Sequence, residues 1–142
     1  MTCTVDASVF VAAIRTQEKY HHSSREFLRR VQAGRTDVFC SALILAECGA
    51  AIARGTGDSV LAKELVRLVE NLSILRLVAL DAALARQAAQ IDIANHLRGA
   101  DAVYVAVAQA SNATLVTRDT EMLRRCPSAV STVTPEQWLS QT

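Results

Sequence analysis

Near its amino end the chain reads Thr2-Cys-Thr-Val-Asp-Ala-Ser-Val9, a short β-branched run, then small polar positions, then apolar residues through Ile14. β-Branched residues favour a strand, Asp6 and Ser8 favour a turn or a helix cap, and the apolar run beyond them has helical character. The predicted order is strand, polar turn and helix start, which opens a βα unit with an acid at the carboxyl end of its strand.

Outward from there the same alternation continues. Residues 22–33 read as a helix with Phe27, Leu28 and Val31 on one face, Ser23 or Ser24 as its cap and Gly34 as its stop. A strand over 38–40 leads to Ser41, expected to cap an apolar helix over 42–54 whose one acid is Glu47 and which the Gly55-Thr-Gly57 break ends. Asp58 is expected to cap a helix with Leu61, Leu65, Leu68, Val69 and Leu72 on one stripe. Strands are then expected over 74–78, 113–117 and 130–134, with helices over 82–96 (capped by Asp81), 100–110 and 118–125 between them. Pro135 opens a terminal turn through Trp138. Strands alternating with helices predict an α/β fold, a three-layer α/β/α sandwich around a parallel sheet. No repeat, linker or low-complexity segment interrupts it, so residues 1–142 are read as a single domain.

Composition narrows the function classes. A content of 51% hydrophobic residues over 142 residues supports one core, so neither disorder nor a disulfide scaffold is expected. Cys3, Cys40, Cys48 and Cys126 lie far apart with no C-x-x-C, and are read as incidental thiols rather than zinc ligands. No apolar run approaches the ~18 residues of a membrane span, and no basic segment precedes residues 9–14, so a cytoplasmic protein with no membrane association is expected. The net charge of +1 gives no overall electrostatic bias, yet 13 of the 15 basic residues are Arg, the side chain suited to bidentate phosphate contact.

Four acids stand out. In open parallel sheets ligands bind beyond the carboxyl ends of strands; Asp6 follows the first predicted strand and Asp119 the fourth. Glu47 and Asp101 sit on helices that are otherwise almost wholly apolar, where unpaired acids are rarely tolerated. Taken singly, Asp6 and Asp119 also fit helix caps and Asp101 fits a first-turn acid; Glu47 has no capping role. Taken together, four clustered carboxylates would repel one another unless a hard cation such as Mg²⁺ or Mn²⁺ joined them, and nucleases use such ions in phosphodiester hydrolysis. No G-x-S-x-G, Walker or G-x-G-x-x-G pattern competes.

Four motifs in order carry a family resemblance: Val5-Asp-Ala-Ser-Val9, Leu45-Ala-Glu-Cys48, Arg98-Gly-Ala-Asp-Ala-Val-Tyr-Val-Ala-Val107 and Leu115-Val-Thr-Arg-Asp119. In these the chain resembles the PIN-domain family, most closely the VapC-type toxins of prokaryotic toxin–antitoxin pairs. The resemblance implies a five-stranded, mainly parallel sheet and an acidic quartet of Asp6, Glu47, Asp101 and Asp119 around Mg²⁺ or Mn²⁺. It matches Ser8 and Thr117 to hydroxyl residues that orient carboxylates or water. Arg98 and Arg118, beside two of the acids, are candidates for contact with RNA phosphates. Glu121 matches a further acid of some relatives, although a solvated first-turn helix acid is the favoured reading there. The implied activity is an endoribonuclease that leaves a 5′-phosphate and a 3′-hydroxyl by attack of a metal-activated water. The implied partners are an RNA substrate, a VapB-like antitoxin seated on apolar helix surface that includes residues 9–14 and the Leu61–Leu72 stripe, and a second copy in a homodimer, with a heterotetramer or larger assembly when the antitoxin is bound.

Two other readings remain open at this level: an RNA-processing nuclease without an antitoxin, and an idle RNA- or protein-binding module. A phosphatase of the haloacid dehalogenase type is excluded because Ser8 stands where its second Asp is needed. A receiver domain would need an acid pair and a late Lys that are not seen. With the four acids set aside, 10 remaining acids face 15 Lys and Arg, a surplus of five positive charges outside the acidic centre.

Overall fold

A computed structural model describes residues 2–142. Among these, five strands alternate with eight helices. β1 (Thr2–Val5) leads to α1 (Ala7–Ile14) and α2 (His21–Ala33), β2 (Asp37–Ser41) to α3 (Leu43–Thr56) and α4 (Ser59–Glu70), and β3 (Leu75–Val78) to α5 (Ala82–Asn95) and α6 (Gly99–Ala110). β4 (Thr114–Val116), α7 (Thr120–Arg125), β5 (Thr132–Val133) and α8 (Pro135–Gln141) complete the chain.

The sheet runs in the order β3-β2-β1-β4-β5, and every pairing is parallel. The chain therefore winds outward from β1 through β2 to β3, then crosses back to lay β4 on the other side of β1. Right-handed crossovers in opposite directions put their helices on opposite faces, which gives the three layers expected. The reversal makes a crevice beyond the carboxyl ends of β1 and β4, where Val5 pairs with Val116. Asp6 and Asp119 follow those two ends.

Local signals explain most element boundaries. The Asp58 and Asp81 carboxylates accept from the Leu61 and Leu84 backbone N–H groups at 3.0 and 2.8 Å, capping α4 and α5. Thr134 and Gln137 form a reciprocal capping box at α8, with Pro135 just inside. Several expectations shift. The third helix runs through Gly55 and stops at Gly57, whose φ of +69° suits a residue without a Cβ. α2 starts at His21 with no side-chain cap; Ser23 and Ser24 point their hydroxyls at Arg118 instead. The left-handed residue that closes α2 is Arg35 rather than Gly34. The fifth strand shrinks to two residues and the helix expected over 118–125 begins at Thr120. On α4, Leu65 and Val69 are buried but Leu68 is 54% exposed, so its stripe is only partly spent on the core.

The core is one cluster in which Tyr104, Phe27, Ile44, Ile52, Leu115 and Met122 are the largest fully buried side chains. Residues 102–108 of α6 are all buried, because this helix packs against β1, β2 and β4 as well as α5. Phe27 and Trp138 meet edge to face with centroids 5.0 Å apart, tying α8 to α2. Cys3, Cys40 and Cys48 are free and buried, and burial pushes their thiols up to about 11, 12 and 12, outside the range of reactive thiolates. No helix among the described residues is long and apolar enough to cross a membrane.

Leu115 is fully buried on an inner strand. Leu115→Ala is expected to cost about 2–5 kcal/mol in urea unfolding; a loss under about 1 kcal/mol would show that the site collapses around the smaller side chain.

Candidate active site

Asp6 occupies the N-cap position of α1 but caps nothing. Its Oδ1 instead accepts from Ser8 Oγ at 2.6 Å and its Oδ2 from Thr117 Oγ1 at 2.9 Å. Each hydroxyl is itself fixed: Ser8 Oγ accepts from the Arg118 backbone N–H and Thr117 Oγ1 from that of Asp119, both at 2.9 Å. Asp6 is 5% exposed. Burial pushes its carboxyl up to about 7, against the two hydroxyls, which favour the charged form, and with the help of the nearby Asp119 and Asp101 charges.

Asp119 serves two purposes. Its Oδ1 accepts from the Glu121 and Met122 N–H groups at 2.8 and 3.1 Å, capping α7, while Oδ2 accepts from Arg98 Nη2 at 2.8 Å. Asp101, in the first turn of α6, is buried, and its Oδ2 accepts from Arg98 Nε at 3.1 Å. Burial raises the Asp101 carboxyl and Arg98 opposes the rise. Glu47, in the middle of α3, has a buried Oε1 without a hydrogen-bond partner; burial and the Asp101 charge raise its carboxyl, while Arg98 and Arg54 lower it. Asp6, Asp101 and Asp119 thus lie within reach of one another's charge at the crevice between β1 and β4, and Glu47 lies within reach of that of Asp101. Glu121 stands apart, paired with Arg124 and Arg125 at 2.7 and 2.9 Å in half-exposed bridges.

The donor set fits a hard divalent cation. Its members are all carboxylates, Glu47 carries an unused buried oxygen, and positive charge is already drawn between Asp101 and Asp119 in the form of a guanidinium. Among the described residues no three acidic, His or Cys side chains are gathered tightly enough to enclose an ion; Arg98 spans the acids instead. An ion shared by several of them would displace that guanidinium.

The two arginines expected at phosphates part company. Arg98 has a side chain 74% exposed at the mouth of the site. Arg118 is engaged elsewhere: its side chain is 11% exposed and its partners lie on α2 and α8 rather than among the acids. Its Nε, Nη1 and Nη2 donate to Ser24 Oγ, Glu136 Oε2 and Ser23 Oγ at 2.9, 2.7 and 2.7 Å, and its guanidinium lies 4.5 Å from the Tyr20 ring centroid. It is a clamp among α2, α8 and the segment 117–119, with a partner on each guanidinium nitrogen. Sequence reasoning missed this clamp because its partners are 18 to 95 residues away. It also missed the Arg98 bridge, of which only the Asp101 half, at i+3, is visible in the sequence.

Residues 3–127 match the sequence profile described as the PIN domain. No curated protein matches the sequence. Among solved structures the chain is similar to VapBC2 from Rickettsia felis bound to a promoter DNA fragment, with a TM-score of 0.71 at 18% identity over 94% of this chain and 98% of that one. It is also similar to VapC20 from Mycobacterium tuberculosis, a toxin that cleaves the sarcin–ricin loop (TM-score 0.66, 19% identity, 82% and 87% covered). A third similar structure is FitAcB from Neisseria gonorrhoeae (0.70, 22%, 95% and 99%). At these identities the likeness is one of fold.

The raised Asp6 carboxyl makes a signed prediction. A group whose folded-state value exceeds its unfolded value favours folding while protonated, so its contribution is full below about pH 4 and lost as pH rises through about 7. Relative to Asp6→Asn, the cation-free wild type is expected to lose about 3–4 kcal/mol of stability between pH 4 and pH 8. Thermal or urea unfolding of both proteins in EDTA checks this, and a pH-independent difference between them sinks it.

Proposed function

Because the chain belongs to the PIN-domain family, we propose that residues 1–142 form a single nuclease domain. It acts in the cytoplasm as a Mg²⁺- or Mn²⁺-dependent endoribonuclease, the toxin of a VapBC-like toxin–antitoxin pair. The observation that carries the reading is Asp6: a carboxylate at a helix N-cap that is withheld from the helix, buried, and aimed by two fixed hydroxyls toward a crevice it shares with Asp101 and Asp119. Burying such a group costs free energy that stability does not require.

Asp6, Glu47, Asp101 and Asp119 would hold the cation. When bound, it supplies an acidified water and offsets charge at phosphorus. The chain's own part is preorganisation. Ser8 and Thr117 hold both oxygens of Asp6, so its lone pairs face a set direction before substrate arrives. Burial brings the Asp6 carboxyl up to about 7, so near neutral pH it holds a proton part of the time, and positive charge in the site would favour its ionised form. Asp119 keeps one oxygen on α7 and turns the other inward. Arg98, exposed and already reaching between two acids, is placed to meet a phosphate of single-stranded or looped RNA. Hydrolysis adds water across the P–O3′ bond and leaves a 5′-phosphate and a 3′-hydroxyl.

The antitoxin half of the proposal is supported by a groove of about 870 Å³ among α1, α2 and α4, lined on its apolar side by Phe10, Ile14, Leu28, Leu65, Leu68 and Leu72. Leu68 is left largely unburied there, as suits the apolar face of an amphipathic helix laid in the groove. This favours the toxin over an RNA-processing nuclease that has no antitoxin. A homodimer, and a heterotetramer or larger assembly with antitoxin, belong to the same proposal.

Asp6→Asn and Asp101→Asn are each expected to lower RNA cleavage by more than about 100-fold, as is excess EDTA. Sequencing of 5′-phosphate RNA ends after induction in cells, against the Asp6→Asn control, checks this and reports the target; full activity in either variant or in EDTA overturns it. Thr117→Val, which frees one Asp6 oxygen, is expected to cost about 10–100-fold in Mn²⁺ affinity measured by calorimetry, and unchanged affinity would deny Thr117 an orienting part.

A further inference from the structure

Residues 117–119 lie between β4 and α7, in neither strand nor helix, yet both hydroxyl supports of Asp6 depend on them. Thr117 donates its hydroxyl to Asp6 Oδ2, while the Arg118 N–H donates to Ser8 Oγ, which in turn donates to Asp6 Oδ1. The two residues are held differently. The Thr117 N–H is tied to β5 through the Val133 carbonyl at 3.0 Å, whereas the Arg118 N–H meets only the Ser8 hydroxyl. An N–H in an irregular connection points at its acceptor only as well as the connection itself is held.

The Arg118 side chain supplies that hold. Its Nε and Nη2 donate to Ser24 and Ser23 of α2, its Nη1 donates to Glu136 in the first turn of α8, and the Tyr20 ring covers the guanidinium. The other Glu136 oxygen accepts from the Ser23 hydroxyl, so Arg118, Ser23 and Glu136 close a ring of hydrogen bonds. Both helices are anchored in turn: Phe27 of α2 meets Trp138 of α8 in the core, and Pro135 with the Thr134–Gln137 box fixes the turn that carries Glu136. A planar fork bonded at all three nitrogens fixes the direction of the side chain as well as its distance, which a lysine could not do. One residue thus carries the clamp on its side chain and the Ser8 contact on its backbone.

We propose that Arg118 and Glu136 are positioning residues for Asp6. The path runs from Glu136 through the Arg118 guanidinium to the Arg118 N–H, and from there through Ser8 Oγ to Asp6 Oδ1. It makes α8, at the far end of the chain, part of the acidic site's support. The proposal rests on the cation reading of the four acids for its functional consequence. A carboxylate that holds a cation must present its lone pairs in one direction, and the partners behind metal-bound carboxylates set affinity. Release of the clamp loosens the Arg118 N–H, then Ser8, then the direction of Asp6 Oδ1. Thr117, tied to β5, keeps its place.

The test pairs Mn²⁺ calorimetry with amide hydrogen exchange of the cation-free protein. Arg118→Ala and Glu136→Ala are each expected to speed exchange of the N–H at position 118 by more than about 10-fold beyond any change at the Leu115 N–H in β4. Each is expected to weaken Mn²⁺ binding about 3- to 30-fold, and neither to weaken it further on a Ser8→Ala background, where the path is already cut. A clamp that served the fold alone would leave Mn²⁺ affinity unchanged or give losses that multiply with that of Ser8→Ala. The Glu136 side chain is 44% exposed, so its variant decides the matter if Arg118→Ala does not fold. Affinity within about twofold of wild type in the folded variants, multiplying losses, or exchange at position 118 no faster than at Leu115 overturns the proposal. If wild type binds no Mn²⁺ while Glu136 still governs exchange at position 118, the clamp is borne out and the cation reading is rejected. Mn²⁺ binding indifferent to both variants rejects the positioning role alone.

Discussion

A buried carboxyl at the sheet's reversal point, held on both oxygens by hydroxyls, is the constraint around which the rest of the site is arranged. Desolvation would keep Asp6 protonated to near neutrality, and the Ser8 and Thr117 hydroxyls work against that. To hold it they must themselves be fixed, by the backbone N–H groups of Arg118 and Asp119. The end of β1 and the segment after β4 are thereby knitted together, with the Asp6 N–H also reaching the Val116 carbonyl at 3.4 Å. These bonds join residues 110 positions apart in one hydrogen-bond network.

The same segment shows how neighbouring residues divide their work. Thr117 faces the acids, Asp119 caps α7 with one oxygen and faces the site with the other, and Arg118 between them turns its side chain out to α2 and α8. A guanidinium 11% exposed, with a partner on each nitrogen, is worth far more as an anchor than an exposed ion pair would be. Arg98, with a side chain 74% exposed, gains little stability from its two acids and is free to leave them. Two arginines from one Arg-rich composition thus serve different ends, and exposure separates them.

The helical surface shows a comparable division. α4 turns Leu65 and Val69 into the core but leaves Leu68 over the groove that it shares with α1 and α2. A continuous apolar stripe in sequence was thus two faces in space, one satisfied within the fold and one open to a partner.

Short-range rules accounted for what is local. β-Branched runs, Asp58 and Asp81 at helix starts and the capping box at Thr134 placed nearly every element, since each depends on residues within four positions. The ordered motifs marked Asp6, Glu47, Asp101 and Asp119, and the anomaly of Glu47 among apolar residues was legible because burial follows from helical periodicity. Strand order was not legible, because it depends on which edges meet after the chain reverses. Nor could sequence separate a capping Asp119 from an Asp6 that caps nothing, both of them acids after strands. That difference arises from partners that folding brings from the far end of the chain: Thr117 for Asp6, and Arg98 for Asp119. The roles of Arg118, Ser23 and Ser24 were set in the same way. Hydrogen bonds beyond a helical turn leave no periodic trace in a sequence, and they appear only when the sheet has brought their ends together.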